Sequence, residues 1–279
     1  MPNERDGLYM IEIAGNLIGL ATSHLIASPM IWVVVASVFL LAGLVKGVVG
    51  MGLPTVAMGL LAIIMPPAQG AAILIIPSFV TNVWQLLAGP SFRLLFARLW
   101  TMMAGVAAGT IAGSGWLTGG HTGVALSALG AALTIYAMLG LLQVRFRVGA
   151  RYEFLLSPLV GLITGLVTGA TGVFVIPAVP YLQALMLEKE ELIQALGLSF
   201  TVSTIALAFG LLLHADDQVA PVPLIGVSVL ALVPALLGMF IGQMLRGRMS
   251  AEAFRRVFFT GLLLLGIYLA TTALTSSAH

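Results

Sequence analysis

Apolar segments long enough to cross a membrane recur along the whole chain. Each runs for about 15 to 22 residues, which fits helices crossing a hydrocarbon core of about 30 Å. The segments lack the strict alternation of a transmembrane barrel strand. Because 60% of the residues are hydrophobic and only 8% are charged, no soluble domain could hide this much apolar surface. The sequence therefore predicts an all-α integral membrane protein.

Several function classes find no support in the residues. The chain has no cysteine, so it has no thiolate nucleophile and no Cys-ligated metal or iron–sulfur centre. Its net charge of +2 is too small to indicate nucleic acid. No two histidines have metal-ligand spacing, and no phosphate-binding loop is present. Ser114 lacks the preceding glycine of a nucleophile elbow and has no acid or histidine in its span. We therefore expect neither an enzyme nor a metal or cofactor.

Two glycine-rich interruptions lie within the apolar segments. The first is VKGVVGMGLPT at 45–55, and it holds Lys46, the only charge within an apolar span. The second is GLITGLVTGATG at 161–172, about 118 residues later, with Gly161 and Gly165 in the places of Gly43 and Gly47. Two matching helix breaks in hydrophobic segments are the best sequence pointer to a transporter's binding site.

Arginines predict the orientation in the membrane. Nine of the twelve basic residues are arginines in three loops: Arg93 and Arg98; Arg145, Arg147 and Arg151; Arg246, Arg248, Arg255 and Arg256. The positive-inside rule places these loops in the cytoplasm, so that both termini are periplasmic. The two halves, with five apolar segments each, then enter from opposite sides as inverted repeats. We expect an N-terminal segment at 1–27 that could lie at the membrane surface, repeat 1 at 28–144 and repeat 2 at 145–279.

Polar residues near the breaks are the candidates for substrate binding. Lys46 comes first, because an ammonium at the bilayer centre costs about 2.5 to 3.5 kcal/mol on insertion scales. The alternative is that Lys46 snorkels to the inner surface as an anchor. Free amides at the starts of the half-helices after each break, with the helix dipole, favour an anion. The predicted substrate-binding residues are Lys46, Gly50, Gly52, Ser78, Asn82, Gln85, Thr168, Thr171, Ser199 and Ser203.

Helix packing is the competing role for many of these residues. Ser78, Asn82 and Gln85 share one helix face, where hydrogen bonds between helices would account for them equally well. Thr81 and Trp84 are assigned to packing or to the lipid-facing surface. A packing seam of small residues is assigned to Gly105, Gly109 and Gly113, and the breaks to Gly50, Gly52, Gly169 and Gly172. The alternative for the second break is a seam of Gly161, Gly165 and Gly169, which have the same four-residue spacing. Such seams also leave a homodimer open.

The breaks at 43–52 and 161–169, the Pro-Pro-Ala-Gln turn at 66–69 and the segment from Ser78 to Asn82 resemble the sulfite exporter TauE/SafE family of bacterial inner-membrane proteins. The resemblance extends from about Val33 to Leu269. It implies export of sulfite, or of a C2 organosulfonate such as sulfoacetate, from cytoplasm to periplasm. The family's glycine-rich repeat starts map onto Gly43, Gly47, Gly50 and Gly52, and onto Gly161, Gly165, Gly169 and Gly172. Leu53-Pro54 departs from the glycine and phenylalanine of other members, which leaves the particular anion open.

The charge pattern agrees with an anionic substrate. Every Asp and Glu is expected in a loop, a tail or the N-terminal segment, so an oxyanion would meet no carboxylate and no carboxylate proton relay would exist. An interior negative by 100 mV favours the exit of a dianion by roughly 4.6 kcal/mol. We therefore predict a secondary transporter in the bacterial inner membrane that moves one half against the other; the alternative is an anion channel or an uptake permease.

Overall fold

The computed structural model describes residues 29–119, 122–143, 147–214, 221–248 and 250–276. In that part of the chain all regular structure is helical, and we number ten helices in chain order. They are α1 (Pro29–Val49), α2 (Leu53–Leu61), α3 (Pro67–Leu87), α4 (Phe92–Thr118), α5 (Thr122–Leu142), α6 (Ala150–Thr171), α7 (Ala178–Ala184), α8 (Lys189–Leu213), α9 (Pro221–Arg246) and α10 (Ala251–Ser276). The predicted N-terminal segment at 1–27 lies outside the described residues.

Eight of these helices are long and apolar enough to cross a bilayer, which confirms the predicted all-α membrane protein. Helices α2 and α7 are the exceptions. With 9 and 7 residues, they rise about 13.5 and 10.5 Å, less than half of a hydrocarbon core of about 30 Å. Each of them follows one of the two predicted glycine breaks. Within the described residues, each half therefore contributes four long helices and one short one.

Glycines with positive φ angles lie at both breaks. Gly50 and Gly52 have φ values of 85° and 102°, and Gly172 has a φ of 70°. This left-handed region is open to glycine at little cost, so the helix can stop there without strain. Gly52 is the N-cap of α2 and Gly172 the C-cap of α6. Gly169, however, lies within α6, and its assignment to the break is wrong.

Glycine seams join helices from opposite halves. In α1, a Cβ added at Gly43 or Gly47 would collide with the backbone of Ala235 or Met239 in α9. In α6, a Cβ at Gly161, Gly165 or Gly169 would collide with the backbone of α4 at Met102, Val106 or Thr110. Gly169 is therefore a packing residue, because its hydrogen is all that fits between the two backbones. These glycines all face neighbours within one chain, so they no longer support a homodimer.

The contacts between helices are the same when each helix is replaced by the corresponding helix of the other half. Helix α1 packs on α9, and α6, which corresponds to α1, packs on α4, which corresponds to α9. Likewise α4 packs on α8 and α9 on α3, while α3–α8 and α5–α10 are pairs of corresponding helices. This is the pattern expected of two repeats related by a pseudo-two-fold axis. The inverted orientation of the repeats stays a prediction.

Two exposed tryptophans on α4 are spaced as the two interfacial belts of a bilayer require. Trp100 and Trp116, both on α4, are 56% and 64% exposed and are separated by about 24 Å at 1.5 Å per residue. Trp84 is also exposed, whereas Thr81 is buried and donates its hydroxyl hydrogen to the Pro77 carbonyl at 2.7 Å. Trp84 thus faces outwards and Thr81 packs.

Candidate functional site

Lys46 lies inside the helical bundle, near the end of α1. It is only 3% exposed, and its Nζ donates a hydrogen bond to Oδ1 of Asn82 on α3. The alternative interpretation, in which this lysine snorkels to the surface, is wrong, because the side chain turns towards α3 instead of the membrane interface. No carboxylate pairs with Lys46 among the described residues. The amino group of Lys46 therefore lies in the protein interior with a neutral amide as its partner.

Asn82 extends this contact to the second half of the chain. Its Nδ2 lies 3.4 Å from Oγ1 of Thr204 on α8, and Thr204 donates to the Phe200 carbonyl at 2.7 Å. The sequence reasoning missed Thr204. The available signal was its place beside Ser203 on a helix expected to face inwards, but threonine also occurs commonly as a packing residue. The polar cluster of Lys46, Asn82 and Thr204 therefore spans both halves.

Gln85 forms hydrogen bonds with the backbone at the first break. Its Nε2 donates to the carbonyl oxygens of Gly50 and Ile193, each at 2.9 Å. The first carbonyl belongs to the interrupted backbone and the second to the first turns of α8. Oε1 of Gln85 is buried without a hydrogen-bond partner. One side chain thus ties the break to the opposite half and keeps an unpaired acceptor.

Buried hydroxyls without partners are concentrated on α3 and α8. Ser78 on α3 and Ser199 and Ser203 on α8 are each fully buried, and none of these hydroxyls has a hydrogen-bond partner. The two helices pack on each other. Leaving a buried hydroxyl unpaired costs about 1 to 3 kcal/mol, so three on this pair of helices are a substantial loss of stability that a bound ligand could recover. Thr55 on α2 and Thr110 on α4 are also buried and unpaired, and the sequence reasoning did not select them.

The threonines predicted to bind substrate in the second half serve the local backbone. Thr168 donates to the Thr164 carbonyl at 2.7 Å. Thr171 donates to the Val167 carbonyl at 2.6 Å and accepts from the amide of Val173 at 3.2 Å. These bonds shape the end of α6 and the second break. No hydrogen bond joins Thr168 or Thr171 to the Lys46 cluster within the described ranges.

The sequence predicts every Asp and Glu in a loop, a tail or the N-terminal segment, but some of the described carboxylates lie in helices. Glu153, Glu190, Glu191 and Glu252 stand in the first turns of α6, α8 and α10, where the positive end of the helix dipole favours them. Glu153 is also paired, since Nε and Nη2 of Arg98 donate to its two oxygens at 2.6 and 2.8 Å. In the described part of the chain, no carboxylate lies deeper than a first helical turn. The surroundings of Lys46 are therefore free of anionic side chains.

Ser114 and His214 lie next to each other at the C-terminal ends of α4 and α8. The sequence indicated no histidine near Ser114, because the apolar segment that contains Ser114 has none. Oγ of Ser114 lies 3.2 Å from Nδ1 of His214. However, Ser114 donates to the Ile111 carbonyl at 2.7 Å, and the same Nδ1 lies 3.0 Å from the Gly210 carbonyl. A ring nitrogen that donates to a carbonyl cannot accept the serine proton. This contact therefore closes a helix end and is not a catalytic pair.

Comparison with known proteins gives one match of high coverage. The description "Sulfite exporter TauE/SafE" applies to a family whose sequence profile matches residues 35–269 of this chain, which is most of its length. No curated protein and no solved structure matches it. The matched region includes both breaks, the Lys46 cluster and the partnerless serines. The chain is thus a multi-pass membrane transporter rather than an enzyme, and it belongs to the sulfite exporter TauE/SafE family.

Proposed function

We propose that this transporter exports a small sulfur oxyanion, sulfite or a C2 organosulfonate such as sulfoacetate, across the bacterial inner membrane. The observation that carries the proposal is the buried Lys46, an ammonium whose hydrogen-bond partner is the neutral amide of Asn82. An isolated buried charge is unfavourable, so an anion that enters beside Lys46 gains the Coulomb attraction that Asn82 cannot supply. In this proposal the anion displaces the Asn82 oxygen from Nζ.

The unpaired hydroxyls supply the remaining donors. Ser78, Ser199 and Ser203 lie on α3 and α8, the two helices that bear Asn82 and Thr204. Hydroxyl donors can replace part of the hydration shell that an oxyanion loses on entering the protein. At the break, Gly52 caps α2 without a side-chain hydrogen bond, so the first amides of α2 have no side-chain cap and could also donate to an anion. This set of donors, together with Lys46, suits an oxygen-rich anion.

The membrane potential provides the direction. An interior negative by 100 mV favours the outward movement of each negative charge by about 2.3 kcal/mol. No buried carboxylate among the described residues offers a proton relay alongside this movement. Electrical driving force alone therefore accounts for export of the anion.

The glycine seams indicate which parts move. The backbones of α1 and α9, and those of α4 and α6, touch through glycines, and each pair takes one helix from each half. Such close contacts tolerate little sliding, because any side chain carried past a glycine would collide with backbone. We therefore propose that α1 with α9, and α4 with α6, move as rigid pairs. This differs from the sequence-based hypothesis, in which one sequence half moves against the other.

Efflux from proteoliposomes tests the proposal. Vesicles loaded with sulfite or sulfoacetate should release it when they hold the wild-type protein, and a negative interior should speed release. Lys46→Met removes the charge at nearly constant volume, and Asn82→Ala removes the oxygen that Lys46 contacts; both should lower flux at least tenfold. Unchanged flux in both variants would remove the site assignment. A large conductance that does not saturate would indicate an anion channel, and inward accumulation against the potential would indicate an uptake permease.

A further inference from the structure

A large cavity opens at one end of the bundle, next to the first break. Its volume is about 940 Å³, and its wall includes Val48, Val49 and Met51 around the break. Four basic side chains also line it: Arg147, Lys189, Arg246 and Arg255. No carboxylate lines the cavity within the described residues. All the charges on its wall are therefore positive.

These four cations are free to meet a ligand. Within the described ranges, none of them takes part in a hydrogen bond or ion pair; the two ion pairs there are Arg98–Glu153 and Arg256–Glu252. Arg255 is half-buried, and the other three are exposed. They come from four places in the chain, before α6, at the start of α8, at the end of α9 and at the start of α10. The fold thus gathers unpaired cations that are distant in sequence around one cavity.

The cavity is distinct from the Lys46 cluster. Lys46, Asn82 and Thr204 do not line it. The link is short, however, since Val49 follows Lys46 by three residues, about 4.5 Å along α1 at 1.5 Å per residue. A volume of about 940 Å³ is also much larger than one sulfite ion needs, so hydrated anions can occupy it.

We propose that this cavity is an anion-collecting vestibule, a second site in which Arg147, Lys189, Arg246 and Arg255 attract hydrated oxyanions before one of them moves past the break to Lys46. A cleft lined by charges of one sign can raise the local concentration of counter-ions and their on-rates by about 10- to 1,000-fold. Arg147, Arg246 and Arg255 lie in or beside loops that the positive-inside rule assigns to the cytoplasm, and Lys189 is the first residue of α8. The role in loading Lys46 rests on the proposed export function; the attraction of anions to the cavity does not.

A thiol probe measures the attraction without any transport. The chain has no cysteine, so Gln183→Cys, on the cavity wall, places a single thiol there. In nanodiscs of phosphatidylcholine, this thiol is modified with 2-sulfonatoethyl methanethiosulfonate or with its trimethylammonium analogue, and both rates are normalised to a free thiol in solution. The vestibule predicts a rate ratio of at least about tenfold in favour of the anionic reagent. The ratio should fall as salt shortens the Debye length from about 30 Å at 0.01 M to about 8 Å at 0.15 M.

A matched pair of variants tests whether the basic side chains on the cavity wall cause the preference for the anionic reagent. Arg246→Gln/Arg255→Gln removes two charges from the wall and should lower the rate ratio at least threefold. Arg248→Gln/Arg256→Gln removes two charges from the same region, but neither residue lines the cavity, so the ratio should stay near wild type. Equal ratios in all three proteins, or equal losses in both variants, would overturn the vestibule.

The phosphate of a lipid headgroup is also an oxyanion, so a separate experiment distinguishes a bound headgroup from a free anion in the cavity. If phosphatidylglycerol in the nanodisc abolishes the preference for the anionic reagent, a headgroup occupies the cavity and the collecting role is overturned. A preference that persists in phosphatidylglycerol and is reduced by millimolar sulfite supports a free anion.

In the efflux assay, Arg246→Gln/Arg255→Gln should raise the half-saturating concentration several-fold and leave maximal flux near wild type, whereas Lys46→Met should lower maximal flux. Absent wild-type efflux would refute the export proposal alone, because the thiol assay measures the vestibule independently.

Discussion

Lys46 and Asn82, 36 residues apart in the chain, are joined by a buried hydrogen bond between Nζ and Oδ1. The contact joins the end of α1 to the middle of α3, and Asn82 reaches on to Thr204 in the other half. The partner of the Lys46 amino group is a neutral amide, so no protein carboxylate among the described residues balances the charge of Lys46 when it is protonated. An anionic substrate would balance that charge.

Asn82→Asp should abolish anion flux while the protein stays folded. The aspartate would keep the shape of the side chain but give Lys46 a counter-charge, and a carboxylate at the site would repel an incoming anion by several kcal/mol. We expect efflux to fall at least tenfold in proteoliposomes, with a melting temperature equal to or above that of the wild type. Thr81→Val is the control on the same helix, because that hydroxyl bonds to the Pro77 carbonyl; its flux should remain close to wild type. Full flux in Asn82→Asp would argue against the anion site.

Ser199→Ala and Ser203→Ala should leave the protein at least as stable as the wild type and weaken anion binding. Each hydroxyl is buried without a partner, so its removal saves the desolvation cost of about 1 to 3 kcal/mol. Substrate would lose a donor, so the half-saturating concentration should rise several-fold in the efflux assay. Residues kept for function at the expense of stability show this combination.

Ser228→Ala is the matched control for the serine variants and should behave in the opposite way. Its Oγ donates to the Ile73 carbonyl at 2.7 Å and accepts from the Ile76 amide at 3.2 Å, which joins α9 to α3. We expect a loss of about 1 kcal/mol or more in unfolding free energy, with little change in the half-saturating concentration. If all three serine variants lose stability alike, the partnerless hydroxyls are structural.

Gly47→Ala should destabilise the bundle more than Gly50→Ala, although both glycines lie near the first break. A Cβ at position 47 would collide with the Met239 carbonyl, and overpacking of this kind costs about 1 to 3 kcal/mol or more. At position 50 nothing lies within 4 Å, and only the backbone angle of 85° resists alanine, by about 1 to 2 kcal/mol. Thermal unfolding in detergent measures the difference. Gly261→Ala, in open space on α10, should be stabilised by about 0.5 to 1 kcal/mol; equal melting temperatures for all three would contradict the packing seam.

Glu153→Gln should lower stability more than Glu252→Gln. Arg98 binds both oxygens of Glu153 and joins α4 to α6, with side-chain exposures of 36% and 13%. Arg256 and Glu252 are 69% and 59% exposed on a single helix, where such pairs contribute about 0.3 to 0.5 kcal/mol. Melting temperatures at low and high salt compare them, since salt screens exposed pairs more strongly. An equal, salt-sensitive loss in both variants would mean that the Arg98 pair acts only at the surface.

The breaks were predictable from the sequence, because a glycine cluster beside proline or threonine rarely continues a helix through an apolar run. The face of Ser78, Asn82 and Gln85 was also located correctly inside the bundle, since polar side chains in a membrane span avoid lipid. For Lys46 the sequence left two positions open, the bundle interior and the inner membrane surface, and only the fold separates them. Gly169 was misassigned because glycines four residues apart look the same in a seam and in a break. Only the backbone angle at Gly172, or the neighbour that a Cβ would meet at Gly169, separates the two.

The neighbours of each helix could not be predicted from the pattern. Helical periodicity shows which face turns inwards but not what lies opposite, so Thr204 and the local bonds of Thr168 and Thr171 became visible only in three dimensions. Three of the vestibule cations, Arg147, Arg246 and Arg255, served in the sequence analysis only to predict orientation, and their meeting around one cavity depends on the tertiary fold. Lys189, the fourth, was not selected from the sequence at all.

The seam that Gly43 and Gly47 form against α9 has a consequence for biosynthesis. Helix α1 is synthesised before α9, so the glycine face that it buries against α9 has no partner until α9 has left the ribosome. Until then that face must rest against acyl chains or an insertion factor, and the ammonium beside it lacks its final surroundings as well. Cutting the polypeptide between its halves would therefore leave each fragment with an uncovered surface, and only their reunion in the same bilayer could restore the fold.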